Sequence, residues 1–416
     1  MADRHVQDVI VIGAGIVGIC SALALQSRGR SVLILDRPQM SQRASEMNAG
    51  AFAFSDIEPL ATPGIMRKAP KWLLDPLGPL SIPPSYAIKI APWMLRFWRA
   101  SWPDRHQLAL NAQASLMEVS QSALKVLVAD VDGEELLQRE GQLQLFEGER
   151  EYRASLPVWQ RRREHGVRFE LLETPDAIAA YQPGLDPRFS HAGFTPDWIN
   201  SCDPARWLDR LRTTFLARGG EIFAGDVKTL IPDEACVSIR LEGKDLSAKQ
   251  VIVCAGAWSH HIARTIGDRI PLETERGYNT TLPQGAFDLK THLSFSGHGF
   301  VVTKINGGVR VGGAVELGGL DLEPNYKRSE ILLKKAQSFL PELKADGGRQ
   351  WMGFRPSLPD SLPVIDRSPN DRRVLYAFGH GHLGLTQSAG TAELVAALAS
   401  DTSIPIDMSA FSARRF

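Results

Sequence analysis

The start of the chain, DVIVIGAGIVGICSALALQSRGRSVLILD (residues 8 to 36), limits its folding more than any other stretch. Val9 to Ile12 is a continuous β-branched run, the pattern of a strand buried on both faces. Gly13-x-Gly15-x-x-Gly18 then makes a turn and opens a helix ending near Gly29, and Ser31 to Leu35 reads as a second strand closed by Asp36. A strand, helix and strand within about thirty residues form a βαβ unit, whose turn suits a dinucleotide. Gly13 permits the tight turn, Gly15 lets the backbone approach a pyrophosphate, and Gly18 lets helix and strand pack closely. The free N–H groups at the helix start face the diphosphate, making Gly13, Ala14, Gly15, Ile16, Val17 and Gly18 the candidate clasp. Asp36, with Arg37 beside it, is placed to accept hydrogen bonds from an adenosine ribose. NAD and FAD share this fingerprint, so the motif alone leaves the cofactor open.

Val9 to Leu25 is also seventeen residues without a charge, near the length of a short membrane span. The preceding MADRHVQD carries two acids against one arginine, unlike the basic start of a signal peptide. Glycines at fixed spacing interrupt the run, so it is taken as a nucleotide motif.

Lys+Arg and Asp+Glu are both 47, a balance without the basic excess that holds a phosphate backbone, so no nucleic-acid partner is expected. Cys20, Cys202, Cys236 and Cys254 form no CxxC pair, which fits a reducing, cytoplasmic setting. No metal-ligand spacing occurs among the ten histidines, and no metal is expected.

At 416 residues two domains are the natural expectation. A loop, RASEMNAGAF, follows the second strand, and the 59–103 region is rich in proline and tryptophan. There APWMLRFWRASW sets Trp93, Phe97 and Trp98 near Arg96 and Arg99 at helical spacing, read as a core stripe or as a helix lying on a membrane. Gln107 to Val128 is a long helical pattern, and GQLQLFEG reads as a strand with alternating faces. A helix capped by Asp203 with Pro204 at its first position ends at Gly219-Gly220. The strand of KQVIVCAGAWS and the final strand–turn–helix, VLYAFGHGHLGLTQSAGTAELVAAL, return to the nucleotide fold. WMGFRPSLPDSLPVI places Arg355 among Trp351, Met352 and Phe354. A cation in apolar surroundings needs an anion, either a protein carboxylate such as Asp360 or one that arrives as substrate.

Taken together, VIVIGAGIVG, SEMNAGAF, PLATPGIMRKAPKWLL, VIVCAGAWS, RGYNTTL, WMGFRPSLPDSLPVID and GHGHLGLTQSAG resemble the FAD-dependent D-amino-acid dehydrogenase and oxidase family, related to glycine and sarcosine oxidases, over nearly the whole chain. The resemblance is greatest to the bacterial D-amino-acid dehydrogenases. It implies an α/β fold: a Rossmann-like FAD-binding domain (1–85, 196–270 and 341–416) and a discontinuous α+β substrate domain (86–195 and 271–340). It implies that Arg43, Ala44, Ser45, Asn48, Ala49 and Gly50 run along the cofactor, that Val227 meets the adenine, and that Ala255 and Gly256 lie near the diphosphate. Gly381, His382, Leu383, Gly384, Leu385 and Thr386 would underlie the flavin. Arg355 would hold the substrate carboxylate, helped by Tyr278, with His382 near the ring. Sarcosine-type relatives tether FAD through a late cysteine; this chain has none after Cys254, so a non-covalent flavin is expected. The implied activity is oxidation of D-amino acids to 2-oxo acids, with a cyclic amine such as D-proline or D-hydroxyproline, or an electron-transfer subunit, as alternatives. The acceptor would be oxygen or a quinone, the latter bringing peripheral contact with the inner face of the membrane.

Overall fold

A computed structural model describes residues 6–38, 43–67 and 80–416; part of the PLATPGIMRKAPKWLL stretch lies outside them. The βαβ start is present as Val6–Ile12, Ile16–Gln26 and Val32–Asp36. Val9 and Val11 enter one core and Ile10 and Ile12 the other, which is why the run shows no polar face.

The first sheet has the strand order Glu221–Ala224, Val32–Asp36, Val6–Ile12, Asp245–Val253, Val237–Arg240, Thr229–Pro232, and its first four strands run parallel. Val374–Phe378 joins Asp245–Val253 in parallel at its C-terminal end. Helices Ile16–Gln26 and Gly384–Ala399 pack together over this sheet, and the long helix Pro103–Asp130 packs on Gly384–Ala399. Gly390 permits that approach: a Cβ there would lie 2.8 Å from the Ser120 backbone.

The second sheet is mostly antiparallel and has the order Arg349–Ser357, Glu273–Leu282, Gly308–Leu317, Phe300–Ile305, His292–Phe295, Gln142–Glu147, Phe189–Thr195, Glu170–Leu172. The expected alternation in Gln142–Glu147 is real, but its polar face is not solvated. Leu143 and Leu145 enter the core, while Gln142 and Gln144 line an internal cavity.

Three segments pair or pack across the expected domain boundaries. Arg349–Ser357, assigned by sequence to the nucleotide domain, pairs with Glu273–Leu282 and so belongs to the second sheet. Leu80–Ser81 pairs with Val315–Glu316 of that sheet as well. Pro103–Asp130, placed in the substrate domain, buries Ala109, Leu116, Met117 and Leu124 in the nucleotide-side core. Sequence order could not reveal these assignments, because the partners are non-local.

The tryptophan stripe is divided. In the helix Ala87–Ala100, Trp93 is buried and stacks on Phe97 at 5.3 Å, while Ile88 (90% exposed), Leu95 (64%) and Trp98 (48%) face outward. No helix among the described residues is long and apolar enough to cross a membrane.

Candidate active site

Two cavities meet where the sheets adjoin. The first is a cleft over the C-terminal ends of the parallel strands, the usual ligand position in such folds. It is lined by Gly13, Gly15, Ile16, Val17, Asp36, Arg37, Arg43, Ala44, Ser45, Asn48, Ala49, Val227, Ala255, Gly256, Gly381, His382, Gly384 and Leu385, all expected from sequence. Ala14, Gly18 and Gly50 support it from behind. A Cβ on Gly18 would overlap the Gly13 carbonyl, and Gly50 has φ of +71° against Ser201. Leu383 and Thr386 line the second cavity instead. The Thr386 hydroxyl donates to the Ala51 carbonyl (3.2 Å) and accepts the Ala53 N–H (3.0 Å).

The cleft is organised by hydrogen bonds that a helix start requires. Asp36 Oδ1 accepts the Ala14 N–H at 3.1 Å and its other oxygen pairs with Arg43. Ser45 Oγ accepts the Ile16 N–H at 3.0 Å. RASEMNAGAF is therefore more than a loop: Ala44–Met47 forms a helical turn, and Asn48 Oδ1 accepts the Gly50 N–H at 2.7 Å. Arg37 bonds Asp226 at 2.8 Å and lies over the Trp258 ring at 5.0 Å. Asp226, Trp258 and Phe354 also line the cleft and were missed; only their neighbours Val227, Gly256 and Arg355 carried a sequence signal.

The residues suit FAD. The Gly15 position leaves a Cβ only 3.2 Å from Ser45 Oγ, and Gly13, with φ of +108°, holds a turn that other residues rarely adopt. A side chain on either would intrude on the turn where a diphosphate meets backbone N–H groups. Cys254 lies on the cleft, and burial pushes its thiol up to about 12.

The second cavity, about 560 Å³, shares Ala44, Asn48, Ala49, Ala51, Arg355 and His382 with the cleft. Arg355 thus sits at the junction. Asp360 is not its partner, being paired with Arg415 at 2.6 Å. Among the described residues the one hydrogen bond of Arg355 runs from Nη1 to the Ala314 carbonyl at 3.1 Å, and no carboxylate reaches ion-pair distance. Burial lowers its pKa, and the charge of Glu275, its cross-strand neighbour, opposes that. A β-bulge between Arg276 and Tyr278 shapes the site. Opposite it, Ala314 takes φ of +57°, and Gly277 has no side chain where a Cβ would overlap the Arg355 guanidinium.

Tyr278 also lines this cavity, but its hydroxyl donates to Glu316 at 2.9 Å and accepts the Asn325 N–H at 3.0 Å. Tyr278 therefore presents its ring rather than a free hydroxyl. His382 pairs with Asp56 at 3.3 Å. Burial raises the Asp56 carboxyl, but the His382 bond and the Arg162 charge outweigh it, leaving it below the carboxylate range. Arg162, Gln142, Gln144 and His292 also line the cavity; sequence reading missed them, since each lies in an unremarkable strand or helix.

A family profile described as FAD dependent oxidoreductase matches residues 8–398. The chain is 34% identical to the D-amino-acid oxidase of Bradyrhizobium diazoefficiens over 421 residues, covering 99% of each chain. It is 29% identical to a D-amino acid dehydrogenase of Vibrio cholerae, covering 94% of each. The glycine oxidase of Geobacillus kaustophilus superposes with a TM-score of 0.79 at 19% identity, covering 99% of each chain, a likeness of fold. With the glycine clasp, the two sheets and the profile in agreement over nearly its full length, this chain belongs to the DAO family of FAD-dependent oxidoreductases.

Proposed function

We propose that the protein oxidises D-amino acids, with Arg355 holding the substrate carboxylate. The observation that carries this reading is a guanidinium that, among the described residues, has no ion-pair partner, at the junction of the cofactor cleft and the larger cavity. A planar fork grips a carboxylate with two charge-assisted hydrogen bonds and so fixes the direction of the attached Cα–H. FAD held in the cleft would supply the two-electron oxidant, and loss of hydride from the Cα so held would leave an imino acid that water hydrolyses to a 2-oxo acid and ammonia. Arg355 orients, the Tyr278 ring and Trp351 wall the cavity, and the start of helix Gly384–Ala399 turns N–H groups toward negative charge at the cleft. The D hand rests on the two relatives whose names specify it. A non-covalent flavin is supported by Cys254, whose thiol stays protonated at neutral pH.

The test is anaerobic addition of D- and L-amino acids, D-hydroxyproline and NADH to the yellow protein. Bleaching by a D-amino acid alone supports the reading; bleaching only by L-amino acids, by NADH or by nothing overturns it. Readmitting air separates oxygen from other acceptors.

For the acceptor, a quinone carried in an anionic membrane fits the exposed Ile88, Leu95, Trp98 and Trp102 beside the exposed cations Lys89 and Arg96. The same helix lines the cavity with Trp93, Met94 and Phe97. Co-sedimentation with anionic but not neutral vesicles, lost in Leu95→Glu/Trp98→Glu, tests this; no sedimentation at low salt refutes it.

A further inference from the structure

The larger cavity is also lined by polar groups whose hydrogen-bonding capacity is not fully met among the described residues. Strands Gln142–Glu147 and His292–Phe295 pair in parallel with His292 opposite Gln142 and Ser294 opposite Gln144, so these polar side chains share the cavity face. The helix Gly148–Glu164 brings Arg162 over them. Arg162 is 7% exposed, and among the described residues no carboxylate lies within ion-pair distance. Its Nη1 donates to Gln144 Oε1 at 3.0 Å, its guanidinium lies 4.4 Å from the Trp159 ring, and its Nε has no partner among the described residues. The charges of Asp56 and Glu58 act on Arg162, but these carboxylates pair with His382 and with Arg161 and His106 respectively.

His292 is 2% exposed and packs against Trp198, with ring centroids 4.8 Å apart and planes tilted by 44°. Neither of its ring nitrogens has a hydrogen-bond partner among the described residues. A buried imidazole with both nitrogens unmet and a buried guanidinium with an unmet N–H are costly unless something arriving in the cavity satisfies them.

We propose that Arg162, Gln144, Gln142 and His292 form a second anchor, for a substrate side chain ending in an acceptor oxygen, a carboxylate or carboxamide. This rests on the D-amino-acid reading above and deepens it. Arg355 holds the α-carboxylate beside the cofactor cleft, and the cluster receives the other end of the same molecule. The preferred substrates are then acidic or amide amino acids rather than apolar ones of equal length.

The experiment compares kcat/KM for D-glutamate and D-glutamine with that for D-norleucine, in wild type, Arg162→Gln and His292→Phe. The His292 side chain makes no hydrogen bond among the described residues, so His292→Phe is the variant expected to fold if Arg162→Gln does not. The wild type should favour at least one polar substrate over D-norleucine by about tenfold or more, and the ratio should fall by about tenfold in either variant. A preference for D-glutamate assigns a carboxylate, and one for D-glutamine a carboxamide. A wild type that favours D-norleucine, or variants that lose all substrates in equal proportion, overturns the subsite while leaving the proposed function standing. If no D-amino acid reduces the flavin, thermal shifts with glutarate and glutaramate against valerate decide the subsite. Stronger stabilisation by glutarate or glutaramate, lost in His292→Phe, supports it, and equal stabilisation refutes it.

Discussion

Arg355→Lys separates a substrate-binding role for this residue from a structural one. Lysine keeps the positive charge that faces Glu275, but replaces the planar fork by a point charge. One of two charge-assisted hydrogen bonds to the substrate carboxylate is lost, roughly 1.5–3 kcal/mol, or roughly 10- to 150-fold in kcat/KM. Folding stability should hardly change, because the only hydrogen bond of Arg355 within the described protein is to the Ala314 carbonyl. An ammonium can replace that bond, and its complete loss would cost about 1 kcal/mol, roughly 1 °C in Tm for a chain of this size. Steady-state kinetics on the best D-amino acid, paired with a melting curve and the flavin spectrum of the holoenzyme, read both quantities. A variant with wild-type kcat/KM and a sharply lowered Tm would refute the argument, since that is how a buried structural cation behaves.

Further outcomes follow from the same geometry. Gly277→Ala places a Cβ against the intact Arg355 guanidinium and should lower kcat/KM on the order of tenfold to a hundredfold with FAD still bound; unchanged kinetics would mean that Arg355 is free to shift. Asp36→Ala removes the acceptor of the Ala14 N–H and the partner of Arg43, and should weaken FAD by roughly 1–2 kcal/mol, about 5- to 30-fold in Kd by flavin fluorescence. Burial pushes His292 and His380 down to about 3 from an ordinary 6.5, so below pH 6.5 the unfolded chain takes up protons that the native chain refuses. Their contribution is present in full above pH 6.5 and lost as pH falls toward 3, at up to about 1.4 kcal/mol per pH unit for each. Urea midpoints that stay level or rise through this window would contradict it.

The cofactor half of the site was legible because local geometry specifies it. A β-branched run, three glycines at fixed spacing and a terminal acid determine a turn whatever surrounds them, and Gly13, Gly15 and Asp36 line the cleft as expected. The arginine among apolar residues was legible as an anomaly of charge, and Arg355 does lie on a cavity. The Asp360 alternative could be excluded only when Asp360 was seen bound to Arg415.

What the sequence determined by itself is the βαβ start, the order of its strands and helices, and the family, all written in spacings of a few residues. Tertiary structure alone decided which sheet each segment joins, that the Tyr278 hydroxyl is committed to Glu316, and that Arg162 and His292 line one cavity. Gln144 reads as the polar face of an ordinary strand until Arg162, eighteen residues away, folds over it. The physical reason is distance along the chain. Backbone preferences act between neighbours, whereas burial and unmet hydrogen bonds belong to groups that only folding brings together.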